Sequence, residues 1–319
     1  MDRLATQILE RGVATDETVN PFWRGQLANF AERIVQDGQA TIEAVYTLGY
    51  WEETLPEGQA NAELPAFREA LAAAKDGRPD GLGAGQAEHA GALAVLRRSG
   101  LMADYLETLD RLRIVSGMSI ARHYVYLRRL MREWAGPGRM LEIGAGGGHF
   151  ARLAISAGLA QHYVIVDLPE MLLNSAGTLT MKARRAELHL GEAPDFSAAG
   201  LHVWLLATTE IALVPDRSVD VALNFNSFME MDEEVRDGYL DQVYRTAKPG
   251  ALFYNVNRMQ RAMTRRDGST YENNPLLYPY RPTDQVIEWQ PDELQQSQRA
   301  SPFHAPSTSF AISRLARLA

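Results

Sequence analysis

A chain of 319 residues, 46% hydrophobic and 23% charged, carries enough apolar material for a large core without metal or disulfide staples. Its formal charge of -8 argues against nucleic acid or an anionic membrane as a partner, and the absence of cysteine excludes disulfides, thiolate nucleophiles, zinc ribbons and iron–sulfur clusters. No apolar run approaches bilayer length, and the start Met1-Asp2-Arg3-Leu4-Ala5 lacks signal-peptide character, so the cytoplasm is the expected location.

Up to about Trp134 the apolar residues recur at helical spacing. Asn20-Pro21-Phe22 reads as a helix start, with Leu27, Phe30, Ile34 and Val35 on one face and a stop at Asp37-Gly38. A glycine-rich connection runs from Asp76 to Gly85. Helical patterns then pass through Leu93, Leu96, Leu101, Tyr105, Leu109 and Leu112, followed by His123-Tyr124-Val125-Tyr126-Leu127, where a core aromatic stripe is set against a covering role. Residues 1–134 are expected to form a helical N-terminal region acting as a lid or a homodimer contact.

From Arg139 the rhythm changes to short apolar runs separated by helix-length segments: Met140–Ile143, Tyr163–Val166, His202–Leu206, Val219–Leu223 and Ala251–Tyr254. A helical segment from Glu233 to Ala247 lies between the last two. Buried strands alternating with helices predict an α/β fold, a doubly wound, mostly parallel sheet over residues 135–319. Ligands in such sheets sit at the carboxyl ends of the strands.

The run Leu141-Glu142-Ile143-Gly144-Ala145-Gly146-Gly147-Gly148-His149-Phe150 takes a strand through a glycine turn into a helix. Glycine lets main-chain N–H groups approach a ligand, and the helix amino terminus adds unpaired donors. The dinucleotide fingerprint fails, because its sixth position is His149 rather than glycine. An acidic residue followed by Gly-x-Gly-x-Gly fits without a gap, and it resembles the first motif of the class I S-adenosylmethionine-dependent methyltransferases. That resemblance implies a Rossmann-like methyltransferase core and S-adenosyl-L-methionine as cofactor. Glu142 would face its ammonium, and the loop of Gly144, Ala145, Gly146 and Gly148 its carboxylate. Asp167, at the tip of the second strand, would accept the ribose hydroxyls, with Leu168 against adenine; the alternative for Asp167 is a helix cap before Pro169.

The segments at 165–172 and at Asn224-Phe225-Asn226-Ser227-Phe228-Met229-Glu230-Met231 resemble the sugar O-methyltransferases of bacterial polysaccharide and antibiotic pathways. Asn224, Ser227, Glu230 and Met231 match that group's pattern, whereas a histidine is replaced by Asn226. The expected activity is methylation of a small polar acceptor, a hydroxyl of a sugar or sugar-containing natural product, with N-methylation of an aminosugar or amino-acid-like metabolite as the alternative. Glu230 is the candidate base or acceptor-binding carboxylate, set against a solvated acid at a helix start. Asn226 either bonds the acceptor or caps the next helix, Asn224 binds the cofactor or fixes the loop, and His149 is catalytic or an exposed helix-start residue. Polar amides, tyrosines and arginines at about 258–284, among them Arg258, Arg261, Arg265 and Arg266, suit a substrate-facing loop. His189, His202 and His304 show no ligand-like spacing, so no metal is expected.

Overall fold

A computed structural model of the chain describes residues 6–8, 10, 35–36, 39–40, 54–76, 84–182, 186–259, 261–264, 268–296 and 311–319. The expected helix from Asn20 through Ile34, most of the glycine-rich connection after Asp76, and Arg265, Arg266 and His304 lie outside them. Val35, expected on that helix, instead belongs to a two-residue strand, Val35–Gln36, paired antiparallel with Gln39–Ala40.

Two compact units are formed, and neither is continuous in sequence. One joins Glu52–Ala135 to Pro291–Ala311. It is helical: α1 (Pro65–Asp76), α2 (Ala84–Arg98), α3 (Met102–Leu112) and α4 (Met118–Glu133). Leu93, Leu96, Tyr105 and Leu109 are buried at the helical spacing read from the sequence. The aromatic stripe of α4 is core, with Tyr124 set edge-on to Tyr105 and donating to Asp104 Oδ2 at 2.6 Å. Asp292 and Glu293, far along the chain, join this unit through charge. Buried Arg129 donates from Nη1 to Asp292 Oδ2 and from Nη2 to Glu293 Oε1, both at 3.0 Å.

The other unit holds Gly136–Gln290 and Ile312–Ala319 and is built on a sheet. In chain order it contains β1 (Gly138–Ile143), α5 (His149–Ser156), β2 (Ala160–Asp167), α6 (Pro169–Lys182), β3 (Glu187–Leu190) and β4 (His202–Ala207). Then follow β5 (Val219–Phe225), α7 (Glu233–Thr246), β6 (Ala247–Arg258) and a hairpin of β7 (Arg261–Thr264) with β8 (Thr270–Asn273). The last strands are β9 (Gln285–Pro291) and β10 (Ala311–Arg317). The eight-stranded sheet runs β9-β10-β6-β5-β1-β2-β4-β3. Its pairs from β3 to β6 are parallel.

All five apolar runs of the sequence are strands of this sheet, and their residues are buried because helices occupy the connections between them. Asp220 ties the sheet across its middle: its carboxylate accepts from Arg139 N of β1 at 2.9 Å and from Lys248 Nζ of β6 at 2.5 Å.

Replacing Asp292 by Ala removes the fully buried partner of Arg129 and leaves it the partly exposed Glu293, and is expected to cost about 3 kcal/mol in chemical denaturation. Arg98→Ala removes only an exposed ion pair to Glu293 and should cost less than about 1 kcal/mol.

Candidate active site

The strand order reverses beside β1: β2 and β4 lie to one side, β5 and β6 to the other. A crevice at such a reversal, outside the carboxyl ends of β1 and β5, is where this architecture receives ligands. Both ends carry the segments singled out by the sequence.

After β1 the chain turns at once. Gly144 N–H donates to Val166 O at 2.8 Å, and Gly144 has φ +72, in the left-handed region. A Cβ here would collide with the Ser227 side chain, so the loops after β1 and β5 touch only because this residue is glycine. At Gly148 a Cβ would come within 3.1 Å of Ser175 Cα on α6. Gly146 differs, because a Cβ added there would meet nothing within 4 Å. It therefore borders open space. Ala145 between them is buried, and Ser175 Oγ donates to Gly146 O at 2.9 Å, fixing the loop from behind.

Asn224 is fully buried and shares both ends of its carboxamide with the protein. Nδ2 donates to Ile143 O at 2.9 Å and to Ser227 Oγ; Oδ1 accepts from Asn257 Nδ2 at 2.9 Å and from Phe228 N at 3.3 Å. A carboxamide has two donors and two acceptor lone pairs, and all are used here. Of the two expected roles for Asn224, loop fixing stands and direct cofactor binding is corrected. Asn226 does not cap a helix either. It sits at φ +66, its N–H donating to Val256 O at 2.7 Å, and Ser227 precedes the 3₁₀ turn Phe228–Glu230. Asparagine is among the few residues other than glycine that tolerate this conformation.

Two acids sit under the loop. Asp167 Oδ2 accepts from Gly146 N and Oδ1 from Leu168 N, both at 2.8 Å. Burial pushes its pKa up to about 6, those two N–H groups oppose the rise, and the charge of Glu230 adds to it. Glu142 is 1% exposed, and its Oε2 accepts from Tyr163 Oη at 2.7 Å. Burial pushes its pKa up to about 8, against the Tyr163 hydrogen bond and with help from Asp167. Glu142 is thus held inside the sheet between Tyr163 and Asp167 rather than presented at the surface, which corrects the expected contact with a ligand ammonium. Alternation along the strand explains this, since Glu142 shares a face with Tyr163 and Asp167 on the neighbouring strand.

Glu230 ends the 3₁₀ turn, half-buried, close enough to Asp167 for its charge to be felt. His149 opens α5 and is buried, not the exposed helix-start residue of the alternative reading. Leu168, half-buried, follows Asp167 directly.

The segment expected to face substrate instead supports the turn that carries Glu230. Tyr271 Oη donates to Met231 O at 2.6 Å, and Asn273 Nδ2 donates to Phe228 O at 2.9 Å. Tyr278 Oη donates to Asn273 Oδ1 at 2.8 Å, and Asn255 Nδ2 donates to Tyr280 Oη at 2.8 Å. Arg236, on α7, stacks over Tyr278 at 4.6 Å. Burial of these rings and amides overrides the usual reading of tyrosines and asparagines in a long connection as ligand contacts.

The expectation that no metal-ligand grouping exists is also corrected. Glu187, His189 and His202 bring one ligand atom each to within 4.8 Å of one another. Pairing of β3 with β4 sets Glu187 opposite His202, a proximity that sequence spacing hides. Among the described residues no helix is long and apolar enough to cross a membrane.

The glycine loop suits an anionic ligand group, since the amino terminus of α5 follows it directly and Gly146 borders open space. The Asp167 carboxylate at the β2 tip retains lone pairs for hydroxyl donors. Residues 141–255 match a family described as Methyltransferase domain, a segment that runs from β1 into β6. No curated relative matches the chain. Among solved structures the chain is similar to a phosphoethanolamine N-methyltransferase of Haemonchus contortus bound to S-adenosyl-L-methionine (15% identity, 61% of this chain, 52% of that one, TM-score 0.43). It is similar too to an S-adenosylmethionine-dependent methyltransferase of Aquifex aeolicus (16%, 60% and 89%, TM-score 0.37) and to the cyclase SpnF (14%, 60% and 80%, TM-score 0.42).

Asn224→Ala unpairs Phe228 N–H and the Asn257 amide inside the protein and is expected to cost about 1–3 kcal/mol for each group left unsatisfied, measured by denaturant titration. A second expectation concerns pH. Folded Glu142 holds its proton to about 8, against an ordinary value of 4.5. Between those values the native chain keeps a proton that the unfolded chain has released, so this group's contribution to stability falls as pH rises through that window. Thermal unfolding across it should show the decline, and Glu142→Gln, which does not ionise, should flatten it.

Proposed function

We propose that this chain, whose residues 141–255 match a methyltransferase domain, is an S-adenosylmethionine-dependent methyltransferase acting on a hydroxyl of a small polar acceptor, a sugar or sugar-containing natural product. The observation that carries the reading is the pair of carboxylates at the reversal point: Asp167 engaged with the glycine loop, and Glu230 near it on the loop after β5. Asp167 takes the ribose hydroxyls, and Leu168 lies along the base. Gly144, Ala145, Gly146 and Gly148 shape the loop that receives the methionine carboxylate beside the open space at Gly146. Asn224 and Glu142 position that loop without touching the ligand.

The cofactor supplies a methyl group on a positive sulfonium. When bound, it would give that methyl to the acceptor oxygen, the C–S bond breaking as the C–O bond forms. The proton of the hydroxyl goes to Glu230, a base within a crevice already holding one ionised acid. Asn226, locked in a left-handed turn at the strand end, offers its carboxamide to orient the acceptor. His149 opens α5 directly after Gly148 and is buried there.

The test is turnover of labelled S-adenosylmethionine against a panel of hydroxyl and amino glycosides. Methylation on oxygen is expected, and products confined to nitrogen would replace this reading with the aminosugar alternative. Glu230→Gln should keep its affinity for S-adenosylhomocysteine while losing on the order of 10²–10⁴-fold in kcat; unchanged turnover would remove Glu230 from the mechanism.

A further inference from the structure

Away from the crevice, at the amino-terminal ends of the same strands, a second polar cluster has no part in methyl transfer. We propose that Glu187, His189 and His202 form a site for a divalent transition-metal ion of the zinc type, which clasps the edge strand β3 to β4. Glu187 and His189 point to one face of β3, two residues apart, and His202 opens β4 directly opposite Glu187. His202 lies five residues before the carboxyl end of its strand, about 17 Å from the crevice end at the usual rise.

The hydrogen bonds around the two imidazoles aim one nitrogen of each at the other. His202 Nε2 bonds Ala199 O at 3.0 Å, and a carbonyl only accepts, so that nitrogen carries a proton. In the neutral ring His202 Nδ1 is then a lone pair, and it faces His189 Nε2 at 3.0 Å. The other nitrogen of His189, Nδ1, faces Glu192 Oε2 at 3.3 Å, an acceptor-only carboxylate. A neutral His189 satisfies one of these neighbours and not both. A metal ion between Nε2 of His189 and Nδ1 of His202 satisfies all of them, because each ring then donates its outer N–H, one to a carboxylate and one to a backbone carbonyl. Metal-bound histidines are held in this way. Nitrogens bound tetrahedrally to zinc stand about 3.3 Å apart, a few tenths of an ångström more than the spacing here. Glu187 Oε2, 3.7 Å from His202 Nδ1, supplies a third ligand. Two imidazoles and one carboxylate suit zinc, nickel or copper better than magnesium or calcium. Gly191, at φ +65, makes the turn that brings Glu192 back towards His189, and Trp204 stacks on His189 at 5.0 Å to close one side.

The experiment is dialysis of the untagged full chain against Zn²⁺ followed by metal counting, with thermal unfolding and Co²⁺ visible absorption as parallel readouts. One zinc per chain, a raised Tm and a cobalt spectrum of low-coordinate type are expected. His189→Gln and Glu187→Gln should abolish stoichiometric uptake; Glu187 is largely exposed, so its variant tests the site without disturbing the fold. Glu192→Gln, which acts through His189, should weaken binding about tenfold. Absence of zinc uptake by the parent chain, or uptake undiminished in both His189→Gln and Glu187→Gln, would overturn the proposal. Neither result bears on methyl transfer.

Discussion

The carbonyl of Ile143, the last residue of β1, accepts hydrogen bonds from both Asn224 Nδ2 and Ser227 Oγ of the neighbouring strand and its loop. A parallel sheet has no hairpin to hold adjacent strand ends together, so side chains must do it where two connections leave in opposite directions. Gly144 is the other half of the same join, because Ser227 occupies the space a side chain would take. The crevice exists because these two loops are locked at one point and diverge from it. Asn257, one strand further on, completes the lock by donating to Asn224 Oδ1, so three strands meet in one fully bonded amide network.

Around that lock the acids are graded by burial. Glu142 lies deepest, Asp167 next and Glu230 nearest the solvent, and the first two are coupled through space to the next in line. Desolvation raises the proton affinity of the inner pair, while the backbone donors of Gly146 and Leu168 resist it at Asp167. Such a gradient keeps the innermost acid neutral over much of the physiological range and leaves charge concentrated towards the strand ends and the solvent.

The resemblance to sugar O-methyltransferases takes on a different meaning in three dimensions. Of its four matching residues, Asn224 and Ser227 build the strand-end lock, and Met231 lends its carbonyl to Tyr271. Glu230 is the remaining match, and its role towards an acceptor is the proposed one. The matching pattern thus records how the turn is built more than what the turn binds. The same holds for the tyrosine- and asparagine-rich stretch at 270–281, whose polar groups pin the Phe228 and Met231 carbonyls, while Leu276 and Leu277 are among its exposed side chains.

Periodicity along the chain was enough to establish the five apolar strands between Met140 and Tyr254, the helix from Glu233, the helices described between residues 65 and 133 and the glycine turn after Ile143, because each depends on neighbours within a few residues. The short strand Glu187–Leu190, the hairpin after Arg261 and the final strand Ala311–Arg317 carry weak local patterns and form because an existing sheet edge or core accepts them. The roles of individual polar residues belong to tertiary structure altogether. Whether Glu142 meets a ligand or Tyr163, whether Asn224 binds or braces, and whether Glu187, His189 and His202 come together depends on strand register and burial. Register joins residues far apart in sequence, and burial decides which polar groups must find their partners within the protein.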